Sequence, residues 1–215
     1  MSSLTAEQLR VVLVVYASAL VPLCSIPFLV RQGRIPAWVP RVYVGAFVAC
    51  ALGWETWFTY GWLGGDPVDQ RRAAALTAMI PVHCNWLLNS LADAGTVCLG
   101  GLWLVWRAFG CDGSILRRWH WGAFGLLLAW FLAQNVFVEM FLYHDQLAEG
   151  KRLSWAPLVP TGPWLNPTLF HFRDRTITLQ GQLSWLLMAP LFYGAVIAYL
   201  RRFDARLQRE ERSLG

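Results

Sequence analysis

The chain has 215 residues, of which 56% are hydrophobic and only 14% charged. A soluble domain carries about a quarter charged residues, so this sequence has too little polar surface to cover a water-exposed globule. Its length sets one domain, residues 1–215, as the expected count, and its balance excludes disorder, collagen and coiled coil, leaving a polytopic membrane protein. The net charge of +5 comes from seventeen arginines and one lysine against thirteen acids. The arginines cluster between apolar runs and at the C-terminus, a pattern of membrane-flanking anchors rather than a nucleic-acid footprint.

A bilayer core needs about 20 apolar residues per helix, and five segments meet that length. The first runs from Leu9 to Val30. Ala17-Ser18-Ala19 resembles a signal-peptide cleavage site, but the apolar run continues past it and Glu7 cancels Arg10, so a retained helix is expected. A connector from Gln32 to Pro40, with Gly33 and Pro36, leads to a second span from Tyr43 to Leu63, closed by Gly64-Gly65-Asp66-Pro67. The third span covers Ile80 to Trp106 and is followed by a loop from Gly110 to Ser114; the fourth covers Trp121 to Tyr143. The stretch from Leu153 to Phe170 is apolar but holds Pro157, Pro160, Pro163 and Pro167, which exclude a regular spanning helix. It is expected to lie in the interface or fold back as a lid, with its tryptophans at headgroup level. The fifth span runs from Ile177 to Leu200. The expected fold class is all-α: a five-helix membrane bundle with a proline-rich interfacial segment between helices four and five.

Five spans place the chain ends on opposite sides. One side collects Arg10, Arg71, Arg72, Lys151, Arg152, Arg173 and Arg175. The other collects Arg31, Arg34, Arg41, Arg107, Arg117, Arg118 and the five C-terminal arginines. The richer side is expected to be cytoplasmic and to hold the C-terminus. The excess of arginine over lysine reads as a GC-rich bacterial genome, hence a bacterial cytoplasmic membrane. The five cysteines are scattered without a CxxC, which argues against a disulfide framework or zinc site. His83, His120, His144 and His171 lie near helix ends or in loops; His144-Asp145 offers a candidate ligand pair, but no HxxxH or HxxEH spacing accompanies it. No metal or cofactor is expected. Phosphate loop, Rossmann glycines, GxSxG and an acid-rich diphosphate motif are all missing.

Three carboxylates fall inside apolar spans: Glu55, Asp93 and Glu139. A charge at bilayer depth costs at least about 2.5–3.5 kcal/mol, so such residues normally face the bundle interior and mark function. Burial disfavours the ionised form of a carboxyl, and a carboxylic acid that keeps its proton is what protonates an apolar substrate. Asn85, Asn89 and Asp93 recur every four residues and share one helix face, as do Asn135 and Glu139. Glu55 is expected to share a face with Thr59 and Trp62, while Gln180, Gln182 and Ser184 open the fifth helix. With alternate spans running in opposite directions, the acids and amides all fall between the midplane and the non-cytoplasmic face. One polar chamber is therefore expected there. The bland alternative is polar glue between helices, but three acids with these amides in so short a chain favour a pocket. Trp54, Trp57, Phe58, Tyr60 and Trp62 crowd around Glu55, and Trp86 and Trp185 lie beside the amides. Aromatic faces steady a carbocation, although single rings also pack cores and form interface belts.

Gly53-Trp54-Glu55-Thr56-Trp57-Phe58 resembles the Glu-x-Trp-Phe stretch of the emopamil-binding protein family of sterol isomerases. Ala92-Asp93-Ala94-Gly95-Thr96-Val97-Cys98-Leu99 resembles its third-helix segment, and Gln182 to Pro190 its Asn-x-x-Trp segment followed by proline. The resemblance implies that Glu55 and Asp93 handle protons and that Trp185, with Gln182 beside it, steadies a cation. Ala51 stands where that family has histidine, Asp93 where it has glutamate, and Gln182 where it has asparagine. Trp54-Glu55 with Tyr60 also looks like the small integral-membrane terpene cyclases of meroterpenoid and indole-terpenoid pathways.

Both resemblances imply proton-triggered carbocation chemistry on an isoprenoid. The expected activity is cyclisation of a prenyl chain, farnesyl above all. Asp93 is the expected general acid, Glu55 the second acid or relay, and Glu139 or a pocket water the final base. Trp185, Gln182, Asn89, Glu139, Asn135, Trp54, Phe58 and Trp62 are the expected pocket lining. The alternatives are an isoprenoid double-bond isomerase and a non-catalytic lipid binder of the same fold. The partners implied are a small hydrophobic isoprenoid and the lipid bilayer, with no nucleic acid, and the residues do not fix an oligomeric state.

Overall fold

The computed structural model describes residues 4–62 and 65–214. Helix α1 (Ala6–Arg31) starts at a capping box: Thr5 Oγ1 accepts from the Gln8 amide, and Gln8 Oε1 accepts from the Thr5 amide, each at 3.2 Å. Helix α2 (Val39–Cys50) runs into a π turn (Ala51–Glu55) and then α3 (Thr56–Tyr60). Two short helices, α4 (Val68–Arg71) and α5 (Ala74–Met79), lead to α6 (Val82–Ala92). A second π turn (Asp93–Leu99) joins α6 to α7 (Gly100–Ala108). Helix α8 (Trp121–Phe137) also ends in a π turn (Val138–Leu142). A hairpin of β1 (Thr168–Phe172) and β2 (Arg175–Thr178) precedes the long α9 (Leu179–Leu214).

Four helical stretches are long and apolar enough to cross a bilayer: Ala6–Arg31, Val82–Ala108, Trp121–Gln146 and Leu179–Glu210. The expected second span is divided, because Gly53 (φ −77°, ψ −110°) breaks the helical path inside the first π turn. Its helical part closes at Gly61, which is left-handed at φ +69°; a Cβ there would fall 2.1 Å from the Gly65 carbonyl oxygen. The expected end at Leu63 and the adjoining Gly64 lie outside the described residues.

The interior is an apolar cluster from α1, α2, α6, α7, α8 and α9, with Ala19, Leu127, Phe131 and Leu200 fully buried. Large aliphatic side chains also point outward, including Leu52 at 71% and Leu191 at 70% exposure. Leucines turned out in such number on apolar helices suit hydrocarbon rather than water. The α1–α6/α7 contact is backbone-close: a Cβ on Gly95 would come within 2.4 Å of Pro22 Cβ.

The fold is mainly helical, as expected, with one short antiparallel hairpin at residues 168–178. Two expectations are corrected. Ile177, the expected first residue of helix five, lies in β2, and the helix instead starts at Leu179. The run Thr176-Ile177-Thr178 is β-branched and fits a strand better than a first helical turn. Arg71, Arg72 and Arg175 are also not solvated anchors: their exposures are 4%, 3% and 0%. Carbonyls at chain bends hold two of them, Phe58 O for Arg71 (2.6 Å) and Ile80 O for Arg72.

The proline-rich stretch forms no regular helix and folds onto the ends of α3 and α9. The Ala156 amide donates to Phe58 O (3.1 Å), and the Leu158 amide to Gln180 Oε1 (2.6 Å). Asn166 ties the same region together, donating to Val159 O and accepting from the Gln180 amide.

Candidate functional site

The three acids of the apolar segments all sit in π turns: Glu55 ends the first, Asp93 begins the second and Glu139 lies in the third. A π turn adds a residue to the helical repeat, which turns a side chain off its α-helical face and loosens the carbonyl ladder; such turns are frequent at functional sites. Neighbouring side chains satisfy the loosened carbonyls. Ala51 O accepts from Thr56 Oγ1 (2.6 Å) and from Trp86 Nε1 (2.9 Å), and Val97 O accepts from Trp130 Nε1 (3.0 Å).

The three acids open into one cavity of about 240 Å³, which Asn85, Asn89, Asn135, Trp54, Phe58 and Trp185 also line. The acids, the amides and three of the expected aromatics thus converge from α3, α6, α8 and α9 with their π turns. Trp54 Nε1 donates to Asp93 Oδ2 at 3.0 Å. The Trp54 ring packs against Trp185 at a centroid distance of 5.0 Å, and Trp185 packs edge-on against Phe131, also at 5.0 Å. Glu55 is buried beside the Asn89 amide and the Thr59 hydroxyl.

Glu139 is the centre of a separate network. Its Oε1 accepts from Asn135 Nδ2 (3.2 Å) and Gln182 Nε2 (3.1 Å), while Asn135 also donates to Gln182 Oε1 (2.8 Å). Glu139 Oε2 has no partner among the described residues. Gly181 is required here, since a Cβ would lie 2.6 Å from Glu139 Oε1.

Two expected site residues do not reach the cavity wall. Gln182 is buried behind it, bound to Asn135 and Glu139, so it positions an acid instead of facing a ligand. Trp62 is 66% exposed and stacks on Tyr60 at 5.8 Å. The left-handed Gly61 carries it out of the helical register that would have set it beside Glu55.

Sequence reasoning missed the buried arginines. Arg72 Nη1 donates to Asn85 Oδ1 (2.9 Å), and Asn85 Nδ2 to Thr59 Oγ1 (3.3 Å), so a hydrogen-bonded chain runs from Arg72 to the residues beside Glu55. Burial pushes the Arg71 guanidinium down to about 9 and Arg72 down to about 10. Burial lowers Arg175 as well, and the nearby Glu139 partly offsets it. In sequence, a loop arginine after an apolar span reads as an anchor, and no local signal marks these three as interior. Trp155 was likewise visible only as one ring of an interfacial stretch; it packs on Phe58 at 4.8 Å and lines the cavity. His144 lies 3.6 Å from Asp145, whose carboxylate also pairs with Arg10. Among the described residues no group of three His, Cys, Asp or Glu side chains gathers as a metal site.

No family model, curated protein or solved structure matches this chain.

Proposed function

We propose that this protein is a membrane-embedded terpene cyclase that starts its reaction by protonating a prenyl chain. The observation that supports this most is the meeting of Glu55, Asp93 and Glu139 in one cavity with the Trp54 and Trp185 rings on its wall. Asp93 transfers its proton to the terminal alkene, forming a C–H bond at the less substituted carbon and a tertiary cation at its neighbour. Internal double bonds then attack in turn, each closing a ring and moving the positive charge along the chain. Indole faces steady that charge, worth about 2 kcal/mol where the site is dry. A final proton leaves to Glu139 or a pocket water, and Asp93 is recharged through Glu55. Product and substrate have equal mass; one double bond is lost per ring closed.

In this reading residues 39–60 form a fifth, kinked span, and the proline-rich segment lies at the interface above the cavity. The C-terminus faces the cytoplasm of a bacterial cell. Two carboxyls on neighbouring helices also provide the donor and acceptor that moving a double bond needs, which makes an isoprenoid isomerase the second reading. One experiment separates them. Membranes containing the protein are incubated in deuterium oxide with a farnesylated phenol. Cyclisation places one deuterium on the former terminal alkene carbon and removes double bonds; isomerisation keeps their number. A recovered substrate without label removes both readings and leaves a lipid binder.

A further inference from the structure

A second, larger space adjoins the carboxyl cavity. It is an apolar groove of about 650 Å³ between α2–α3 on one side and α9 on the other. It extends from Arg41 and Tyr199 at one end to Trp54 and Phe58 at the other. Arg41 and Phe58 are seventeen positions apart, at most about 25 Å along the kinked helix, most of the depth of a bilayer core. Its floor on α2 is made of small residues, and a Cβ added to Gly45 or Gly53 would meet nothing within 4 Å.

Three observations tie this groove to the carboxyl cavity and give it a direction. Trp54 and Phe58 line both spaces, so these two rings stand between them. Trp54 follows Gly53, whose backbone leaves the helical path, and its indole is held in place by Asp93 and Trp185. At the far end Arg41 brings a cation that stacks over Phe203 at 5.9 Å, and the Tyr199 hydroxyl beside it has no hydrogen-bond partner among the described residues. The groove is thus polar at one end, apolar along its length, and bounded at the acid end by the Trp54 ring, which follows the break at Gly53.

We propose that this groove is a second binding site that takes the substrate's linear isoprenoid chain directly from the bilayer. The polar head stays at Arg41 and Tyr199, the terminal isoprene lies at Trp54, and the Trp54 indole is the gate to the acids. The inference rests on the cyclase reading for its occupant. It explains how a chain with its head among the arginines of one membrane face presents its tail to acids nearer the other. Gate opening parts the Trp54 indole from Asp93 while the tail passes, and the hydrogen bond re-forms behind it.

The test is photolabelling of the full chain in phosphatidylcholine nanodiscs. Two geranylgeraniol probes carry a diazirine, one on the terminal isoprene and one beside the hydroxyl; a phosphatidylcholine with a diazirine in its acyl chain is the third. The terminal label is expected on residues 53–58 and 183–188, and the head label on residues 41–45 and 195–199. Ala49→Phe and Gly45→Phe fill the groove and should each cut labelling about tenfold, an overpacking penalty. Val48→Phe, on an exposed position of the same helix outside the groove, should label as wild type. Using two filling variants guards against one failing to fold, which thermal unfolding reports. Equal labelling of all lipid-facing helices, a reversed head-to-tail pattern, equal groove labelling by phosphatidylcholine, or wild-type labelling of both filled variants overturns the proposal. Groove labelling as expected without deuterium incorporation sinks the cyclase and leaves the site. Deuterium incorporation at full rate in Ala49→Phe does the reverse.

Discussion

Trp54 Nε1 donates a hydrogen bond to Asp93 Oδ2 at 3.0 Å, joining a ring on one π turn to a carboxyl on another. The contact fixes which carboxyl oxygen accepts, and so which is left to carry a proton toward the cavity. It also makes the two residues separable by mutation. Asp93→Asn keeps the size and an acceptor oxygen but removes the acid, and should lower turnover by about 10²–10⁴-fold, the usual worth of a general acid. Trp54→Phe keeps a ring against Trp185 and loses only the donor, and should cost about tenfold, one buried hydrogen bond. Deuterium incorporation from labelled water measures both. Wild-type incorporation by Asp93→Asn would remove Asp93 as the donor.

Trp185 packs between Trp54 and Phe131 at 5.0 Å from each and is 3% exposed, so truncation mixes two effects. Trp185→Ala should cost about 3–5 kcal/mol of stability through lost burial and the void left behind. Trp185→Phe retains most of the packing and weakens the cation-binding face. Its expected signature is a fall in rate with early-terminated or differently cyclised products, resolved by gas chromatography with mass-spectrometric detection, at unchanged thermal midpoint. An unchanged product profile would mean that the ring only packs.

The part of this site that was legible in sequence depended on α-helical periodicity. Asn85, Asn89 and Asp93 were expected on one face and line one cavity, because α6 is regular up to Asp93. Trp62 was misplaced because the periodicity stops at Gly61, and a glycine's choice of the left-handed region leaves no trace in spacing. The π turns were equally hidden: an added residue in a turn changes which side chains share a face without changing composition. The hairpin at residues 168–178 was hidden because each strand abuts a longer apolar run, β1 the proline-rich stretch and β2 the fifth span, and strands this short carry little period-2 signal. The buried arginines were illegible for another reason. Arg71 and Arg72 are held in part by the backbone carbonyls of Phe58 and Ile80, which every sequence contains and only the fold exposes.

Arg72 illustrates what such a residue holds. Its guanidinium bonds Asn85 Oδ1, Thr77 Oγ1 and the Ile80 carbonyl, and through Asn85 it reaches Thr59 beside Glu55. Arg72→Met fills similar volume but strands these acceptors, at about 1–3 kcal/mol for each one left buried without a donor. A lower thermal midpoint is expected, together with a turnover defect larger in Arg72→Met than in Arg72→Lys. A variant with wild-type stability and rate would show that the chain to Thr59 carries nothing.

Two glycines of α9 predict opposite outcomes for the same substitution. Alanine is favoured over glycine in a helix by about 0.5–1 kcal/mol wherever its methyl has room. At Gly194 an added Cβ meets nothing within 4 Å, so Gly194→Ala should raise the thermal midpoint. At Gly181 the Cβ would stand 2.6 Å from Glu139 Oε1 and 3.0 Å from Trp155 Cζ2. Glu139 cannot retreat freely, because Asn135 and Gln182 hold the same oxygen. Gly181→Ala should therefore destabilise by about 1–3 kcal/mol despite its helix propensity. The clash falls on the network rather than on the Trp54–Asp93 pair. Proton donation by Asp93 should persist in the folded fraction while loss of the last proton slows, giving more water-trapped alcohol among the products. Equal midpoints for the two variants would mean that Glu139 is not clamped against α9.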